Sequence, residues 1–422
     1  MFKEYQLKNN LTVIYERWTQ LHSVAFGVWI GAGSRYETIY NNGVSHFIEH
    51  MVFKGTETRT ARQIACEFDK LGGQVNAFTG KDCTCYYTKT LDTDLEPAVE
   101  LLSDMLFHSV FNSVHIETEK KVVYEEINMY EDDPEELVND ILTEEVWRDW
   151  SLGYPILGTR KSIRHISRDS ILEYLGRYYV PDNCVISVVG NFDESELHDI
   201  INRYFGSWQP LNYCPLNQSN LNFRRGHFYR KKDIEQTHIC IGFNGISMGD
   251  GHSCDLLVLN NIMGGSMSSR LFQNIREDRG LVYSIYSFPS SFRDVGMFSI
   301  YAAVNPDQAV EVIEIIREEL YRFCENGITE AELVSGRNQL KTNYILGFDN
   351  ATDRMTSLGK YKLIAGVVKS TKEVLERIED VNTDRIMNLT RTVICSHGAG
   401  IAVLGPAEIP ASVLESFNMK NA

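Results

Sequence analysis

Two histidines and a glutamate lie within five residues of one another near the N-terminus, in the order His46-x-x-Glu49-His50. The surrounding segment is predicted to form a short helix that Asn42 caps at its start and that ends before Gly55. Because each helical residue advances about 100° around the axis, the three side chains share one face. Two imidazoles one turn apart on such a face can bind one cation.

The cation that this spacing indicates is zinc. Zinc binds imidazole nitrogen, and a catalytic zinc site has three protein ligands and one position open for water or substrate. His46 and His50 would supply two of these ligands. Glu49, between them on the same face, is a candidate general base that accepts a proton from water at the metal. The competing interpretation is coincidence, because such a match arises in roughly a few per cent of chains of this size.

A second candidate element is the helix predicted over residues 116–131. One stripe of its helical wheel should face the core, and that stripe comprises Glu119, Val122, Val123, Glu126, Ile127 and Tyr130. Burying an ionised carboxylate without a partner is prohibitively costly, so a positive group should meet Glu119 and Glu126. The sequence leaves two possibilities open for that group, a zinc ion and a buried arginine.

Composition restricts the class of protein. At 422 residues the chain is expected to form two or more domains. It has no apolar run long enough to cross a bilayer and no N-terminal secretion signal, so we expect no membrane span and a cytoplasmic location. The net charge of −16 argues against a nucleic-acid partner, because nucleic-acid affinity rests on basic patches. The same charge favours basic peptides as substrates, or serves solubility alone.

The cysteines do not suggest a disulfide framework. They are nine in number and scattered, and without a secretion signal we expect reduced thiols. Cys83 and Cys85 could share one face of a strand, but a single Cys-x-Cys pair is more typical of packing than of a metal site.

Three features of the first half of the chain recur in the second half. The recurring pairs are Gly72 and Gly280, Ala98 and Ala309, and Gly190 and Gly405, and the separation within each pair is nearly constant at about half the chain. We therefore predict two homologous domains, at residues 1–210 and 226–422, joined by a linker at 211–225. The second copy has no His-x-x-Glu-His motif, and Glu332 and Gln339 stand at the positions of the two stripe carboxylates. We expect it to shape a cavity or hold substrate without a metal.

Residues 31–37, Gly-Ala-Gly-Ser-Arg-Tyr-Glu, and the histidine helix through Phe-Lys-Gly-Thr at 53–56 resemble the M16 metallopeptidases. This family includes mitochondrial processing peptidase, pitrilysin and insulin-degrading enzyme, and the resemblance covers essentially the full chain. It implies an α+β fold of two homologous LuxS/processing-peptidase-like domains, each an antiparallel-rich mixed sheet with helices packed on one face. The implied activity is zinc-dependent hydrolysis of peptides by an endopeptidase inside a closed chamber, with one Zn²⁺ per chain.

The resemblance also assigns the remaining metal-site residues. The family places its third zinc ligand, a glutamate, 76 positions after the second histidine, and here that residue is Glu126. A second glutamate seven positions earlier matches Glu119, which is expected to support the metal site from outside the ligand shell. The resemblance therefore favours zinc over a buried arginine as the positive group that meets the two carboxylates.

Substrate contacts follow from the resemblance as well. Residues Asn76, Ala77 and Phe78 match the family's edge strand beside the zinc, on which an extended peptide adds as another strand. Arg276 and Tyr283 match an arginine and a tyrosine that hold the substrate and stabilise its scissile carbonyl. Without the resemblance, the first three would be an ordinary hairpin strand, Arg276 a solvated helix-end cation and Tyr283 strand packing.

The chain length implies a partner subunit. Larger family members close two such halves of one long chain into a chamber, whereas this chain corresponds to one half. A homodimer is therefore implied, with Arg276 and Tyr283 acting in their own subunit or across the dimer. One alternative is a non-catalytic core or partner subunit of a processing-peptidase-like complex. Another is a maturase dedicated to one peptide product, as opposed to a general peptide-degrading enzyme.

Overall fold

The structure is a computed structural model that describes residues 1–209, 221–395, 398–415 and 417. Residues 211–220 of the predicted linker lie outside the described residues. The strands are β1 (Lys3–Gln6), β2 (Thr12–Arg17), β3 (Ser23–Ile30), β4 (Gln74–Thr79), β5 (Thr84–Leu91), β6 (Cys184–Gly190), β7 (Gly226–Lys231), β8 (Thr237–Asn244), β9 (Val282–Ser291), β10 (Gly296–Val304) and β11 (Gly400–Gly405).

Helices connect and cover these strands. They are α1 (Val44–Val52), α2 (Ala61–Lys70), α3 (Leu95–His108), α4 (Ser113–Asp132), α5 (Pro134–Val146), α6 (Arg160–His165), α7 (Arg168–Tyr178), α8 (Glu194–Phe205), α9 (Ser253–Met263), α10 (Ala309–Asn326), α11 (Glu330–Leu346), α12 (Ala351–Ala365), α13 (Thr371–Glu379), α14 (Thr383–Thr390) and α15 (Ala411–Glu415). Among the described residues, none of these helices is both long enough and apolar enough to cross a lipid bilayer.

The described chain forms two compact units, each built on its own sheet. The first sheet has the strand order β1-β2-β6-β3-β5-β4, and the second has the order β7-β11-β8-β10-β9. In the first sheet β2 pairs with β6 in parallel, in the second β11 pairs with β7 in parallel, and the other neighbours pair antiparallel. The predicted α+β fold with two mixed, antiparallel-rich sheets is confirmed.

The same strand order in both sheets also confirms the predicted repeat. Strand β4 begins at Gln74 and its counterpart β9 begins at Val282. Helix α3 begins at Leu95 and its counterpart α10 begins at Ala309, at nearly the same separation along the chain. Each copy therefore presents its elements in the same sequence, with β1 as an additional strand at one edge of the first sheet.

Each unit also includes one segment from the other half of the chain. The first unit contains residues 347–370, which carry α12, and the second contains residues 129–153, which carry α5. The predicted division into 1–210 and 226–422 follows the sequence repeat and does not include this exchange. Helices α5 and α12 each have an apolar face, which predicts that each packs against a sheet. The sequence does not specify which of the two sheets that is.

The exchanged helices explain why the central strands are buried on both faces. Alternate residues of β3 point into the main core of the first unit, which its other helices complete. On the opposite face α12 lies so close that a Cβ atom on Gly27 would be 2.4 Å from the Sδ atom of Met355. In the second unit a Cβ atom on Gly242 of β8 would be 2.9 Å from Cδ2 of Leu142 in α5. Most helices thus pack on one face, as predicted, and one helix covers the other face.

The expectation of reduced thiols is wrong for one pair of cysteines. Cys324 near the end of α10 and Cys395 form a disulfide, with their Cα atoms 6.8 Å apart. They are 71 residues apart in the sequence, and the π-helical turn Arg391–Cys395 packs against α10 in the second unit. The fold therefore brings together two cysteines whose spacing carries no recognisable pattern. Cys83 and Cys85 are both buried, as expected for packing residues.

Candidate metal centre

Helix α1 carries the histidine motif and has two distinct faces. Its residues Phe47, Ile48 and Met51 are buried in the main core of the first unit. Because the helix is fixed along this apolar face, the side chains of His46 and His50 point away from the core and towards α4, where they approach a carboxylate. The predicted apolar face of the helix is thus the face that packs into the core, and the metal-binding role of the histidine face stays a prediction.

The start of α1 is held by a buried carboxylate and not by the predicted cap. Glu37 accepts hydrogen bonds from the backbone amides of Gly43 (2.6 Å) and Ser45 (2.8 Å) and from the side-chain amide of Asn42 (2.8 Å). The prediction that Asn42 caps the helix is wrong, because Glu37 already satisfies the first amides and a negative charge there complements the helix dipole. Burial raises the pKa of Glu37 to about 7, although these hydrogen bonds oppose the shift.

The three predicted metal ligands come together in the first unit. The Nε2 atoms of His46 and His50 lie 3.2 Å apart, and they lie 3.6 and 3.5 Å from the two carboxylate oxygens of Glu126 on α4. A metal ion can be held by three or more His, Cys, Asp or Glu side chains whose ligand atoms lie close together. Among the described residues, these three side chains meet that condition, with all ligand atoms within 4.8 Å of one another. Ligands bound tetrahedrally to zinc at about 2.0–2.1 Å are roughly 3.3–3.5 Å apart, so the donor set and its spacing fit zinc.

Glu119 lies behind His50 and contacts Lys54 as well. Its Oε1 atom is 2.9 Å from Nδ1 of His50, and its Oε2 atom is 2.7 Å from Nζ of Lys54. Burial raises the pKa of Glu119, but the hydrogen bonds from His50 and Lys54 outweigh burial and hold the pKa below its ordinary value. An ionised Glu119 that accepts from Nδ1–H of His50 leaves the Nε2 lone pair of that imidazole for a metal.

The two histidines differ electrostatically. Burial, followed by the neighbouring His50, lowers the pKa of His46 to about 4. Burial also lowers the pKa of His50, but its hydrogen bonds to Glu119 and Glu126 outweigh that effect and raise the pKa to about 9. The carboxylates around the pair therefore favour a positive charge at this position, which is the condition that a metal cation would meet.

The predicted general base stands beside the ligands. The hydroxyl of Thr79, the last residue of β4, donates to Oε2 of Glu49 over 2.5 Å. Burial raises the pKa of Glu49, while the hydrogen bond from Thr79 opposes the shift. Glu49 is therefore a half-buried carboxylate of increased basicity with one oxygen held by a strand.

The predicted substrate strand is an edge strand. Strand β4 ends the first sheet and pairs with β5 on one side, and its residues alternate between exposed and half-buried positions. Asn76 and Phe78 are exposed, and Ala77 between them is half-buried. The backbone edge that faces away from β5 is the position at which a further strand could add.

Arg276 and Tyr283 lie in the second unit. Arg276 belongs to the π-helical turn Phe272–Glu277, and its guanidinium carbon is 4.7 Å from the ring centre of Phe272. Tyr283 lies on the edge strand β9 and is 78% exposed. Both side chains are accessible, so the interpretations as substrate contacts stay predictions.

Two contacts at the centre were not predicted. Lys54 follows His50 by four residues, which is the spacing of one helical turn, and this spacing could have indicated that the two side chains share a face. The other contact is made by Thr79, the last residue of β4. Its contact with Glu49 joins residues 30 positions apart across a strand and a helix, and no local pattern signals it.

Comparisons with known proteins point to one peptidase family. Residues 12–160 match the family model described as insulinase (peptidase family M16), and residues 165–340 match the model described as the peptidase M16 inactive domain. The chain is 43% identical over 407 residues to the uncharacterized zinc protease YmxG of Bacillus subtilis, covering 96% of this chain and 99% of the relative. It is 37% identical over 404 residues to an uncharacterized zinc protease of Mycobacterium leprae, covering 95% and 91% of the two chains.

Solved structures share the fold over nearly the whole chain. A protease from Helicobacter pylori matches with a TM-score of 0.89 at 20% identity, covering 96% of this chain and 99% of that one. The peptidase M16 inactive domain from Pseudomonas fluorescens matches with a TM-score of 0.90 at 18% identity, covering 96% and 98%. These matches show the fold, and the 43% identical relative with the two family models shows that the chain belongs to peptidase family M16.

Proposed function

We propose that the chain is a zinc-dependent endopeptidase that binds one Zn²⁺ through His46, His50 and Glu126. The observation that carries this proposal is the convergence of three ligand atoms from two helices at the separations that zinc requires, with Glu49 beside them. Zinc at this site would supply a Lewis acid for the scissile carbonyl and a water of lowered pKa.

The residues of the chain perform the proton transfers. Thr79 donates to Oε2 of Glu49, so the proton of the attacking water is accepted at Oε1. Partial burial makes this carboxylate a stronger base than an exposed one, which favours proton abstraction near neutral pH. Glu49 then delivers the same proton to the leaving amine. Glu119 keeps His50 in the tautomer and orientation that ligation needs.

The substrate is proposed to be an extended peptide added to the free edge of β4. Backbone hydrogen bonds would hold peptides of many sequences, while the side chains of Asn76 and Phe78, with Ala77 between them, shape the adjacent pocket. Thr79 supports this proposal, because it links the end of the strand directly to Glu49. The net charge of −16 favours basic peptides.

The assembly is proposed from the family resemblance. Two chains would form a homodimer that encloses a chamber, in which Arg276 and Tyr283 hold the substrate and stabilise the scissile carbonyl. The high exposure of Tyr283, an aromatic side chain, supports a binding role. We keep the cytoplasmic location as a proposal, and the Cys324–Cys395 disulfide is the observation that argues against a reducing compartment.

The test combines zinc content with cleavage of a mixed peptide library. We expect the wild-type protein to bind about one zinc per chain and to cleave peptides. Glu49→Gln should retain zinc and lose roughly 10²–10⁴-fold in turnover, because it removes the general base and no ligand. Full cleavage by this variant would contradict the assignment of Glu49. A wild-type protein without zinc or activity would favour the alternative, a non-catalytic partner subunit.

A cleavage map from the same library also addresses the maturase alternative. Cuts in many unrelated peptides, with a bias towards lysine and arginine, would indicate general degradation. Cuts confined to a single sequence would indicate a dedicated maturase.

A further inference from the structure

We propose that Lys54 is a positioning residue of the metal centre, which acts through Glu119 on the ligand His50. This inference rests on the proposed zinc site. Lys54 Nζ is 2.7 Å from one oxygen of Glu119, and the other oxygen is 2.9 Å from His50 Nδ1. One carboxylate therefore connects a lysine to a metal ligand.

Burial makes Glu119 dependent on both partners. Its side chain is 5% exposed, whereas the side chain of Lys54 is 33% exposed. A buried carboxylate needs its oxygens hydrogen-bonded and its charge opposed, and Lys54 provides both for Oε2. With Lys54 in place, the carboxylate plane is fixed at both ends and its Oε1 atom is aimed at the His50 ring.

The two ligands differ in their need for this support. The Nδ1 atom of His46 is buried and has no hydrogen-bond partner among the described residues. His50 is thus the imidazole whose ring is oriented by a hydrogen bond to Nδ1, and the chain Lys54–Glu119–His50 provides that orientation.

Charge and positioning predict opposite effects of removing Lys54. The carboxylates of Glu49, Glu119 and Glu126 face the histidine pair, and Lys54 offsets one of these three negative charges. If Lys54 acted through its charge alone, Lys54→Met would make the site more negative and increase its affinity for a cation. If Lys54 positions Glu119, the same substitution decreases the affinity.

The experiment measures the zinc dissociation constant by competition with a chromophoric chelator. We expect Lys54→Met to raise the dissociation constant about 10- to 100-fold, the usual cost of losing a residue that supports a ligand. Lys54→Arg, which keeps the charge and donors, should recover most of the affinity. The matched control is Lys120→Met, which removes a buried lysine that pairs with Glu117 on the same helix as Glu119 and should leave zinc affinity unchanged.

A double variant tests the route of the effect. Lys54→Met combined with Glu119→Gln should bind zinc as weakly as Glu119→Gln alone, because Lys54 acts through that carboxylate. Additive losses, or an unchanged or tighter dissociation constant for the folded Lys54→Met protein, would overturn the inference and leave the zinc site standing. A wild-type protein that binds no zinc would instead overturn the proposed function.

Discussion

The two copies of the fold use a carboxylate at the same position for different purposes, buried as Glu119 in the first copy and half-buried as Glu332 in the second. In the first unit Glu119 of α4 connects Lys54 to His50. In the second unit its counterpart Glu332 of α11 accepts from Nε of Arg270 over 2.6 Å and from the backbone amide of Thr329 over 2.7 Å. The second carboxylate caps the start of α11 and forms an ion pair with Arg270. Both contacts are structural. The position of the carboxylate is therefore the same in both copies, and its neighbouring side chains determine whether it can support a metal ligand.

The third-ligand position differs as well. Gln339 stands where the first copy has Glu126, and it lines a cavity of about 230 Å³ together with Asn261, Ser266 and Ser268. Helix α9, the counterpart of α1, contains no histidine. Among the described residues of the second unit, no group of metal-binding side chains comparable to the first is present. Gln339 and its neighbours therefore form a cavity in the second unit, and its use without a metal stays a prediction.

The strongest test of this comparison makes the first site resemble the second. Glu126→Gln replaces the carboxylate ligand by the amide that the second copy carries, and a neutral amide is a poorer zinc ligand than a carboxylate. We expect the zinc dissociation constant to rise by more than the roughly 10- to 100-fold that loss of a supporting residue costs. Peptide cleavage should fall with zinc occupancy, measured by metal analysis of the same samples.

The reverse substitution is the matched control. Gln339→Glu supplies a carboxylate to the second copy, but α9 offers no imidazoles to complete a site, so zinc content should stay at one per chain. A second zinc bound with similar affinity would show that the histidine pair is not what distinguishes the two copies.

The exchanged helices allow a second comparison, of stability. Met355 of α12 and Leu142 of α5 are fully buried, each against the sheet of its unit. Replacing either by alanine leaves a cavity, and we expect the free energy of unfolding to fall by about 2–5 kcal/mol. Hydrogen exchange should show the loss of protection in the first unit for Met355→Ala and in the second unit for Leu142→Ala. Loss of protection throughout the chain in both variants would mean that the units unfold as one.

Sequence alone predicted what depends on local pattern. Periodicity predicted that the histidines of α1 lie opposite its apolar residues, and the near-constant offsets predicted the repeat, because both follow from the order of residues along the chain. The resemblance, and not the helical wheel, supplied the assignment of Glu126. The wheel was wrong for Val122 and Tyr130, which are 46% and 41% exposed. The fully buried residues of α4 form a narrower stripe that ends at Val123, namely Ile116, Glu119, Lys120 and Val123.

Contacts between distant segments were not predictable in this way. The disulfide joins residues 71 positions apart, and Lys54, just after the end of α1, contacts Glu119 of α4. The exchange of α5 and α12 also depends on which sheet each apolar face covers. These features depend on the tertiary arrangement, which cannot be predicted from any single stretch of the sequence.

The smallest expected effect tests the structural role of Glu332. Burial raises its pKa, but the hydrogen bonds and charge of Arg270 and the donors of Thr329 outweigh burial and lower the pKa to about 2. A carboxyl with a pKa lower in the folded state than its ordinary 4.5 stabilises the fold above about pH 5, and that stabilisation is lost as the pH falls towards 2. Glu332→Gln should therefore lower the free energy of unfolding at pH 7 by about 1–2 kcal/mol, a value reduced for partial exposure.

The difference between wild type and Glu332→Gln should shrink as denaturant titrations are moved from pH 7 to pH 3. Glu318→Gln, which removes an exposed carboxylate paired with Arg322, should change stability by less than about 0.5 kcal/mol at either pH. Zinc affinity should be unchanged in both variants, since neither carboxylate belongs to the first unit. An equal penalty for Glu332→Gln at pH 7 and pH 3 would mean that packing, and not the ionised carboxylate, stabilises this position. In that case Glu119 and Glu332 would differ only because Glu119 has histidines near it.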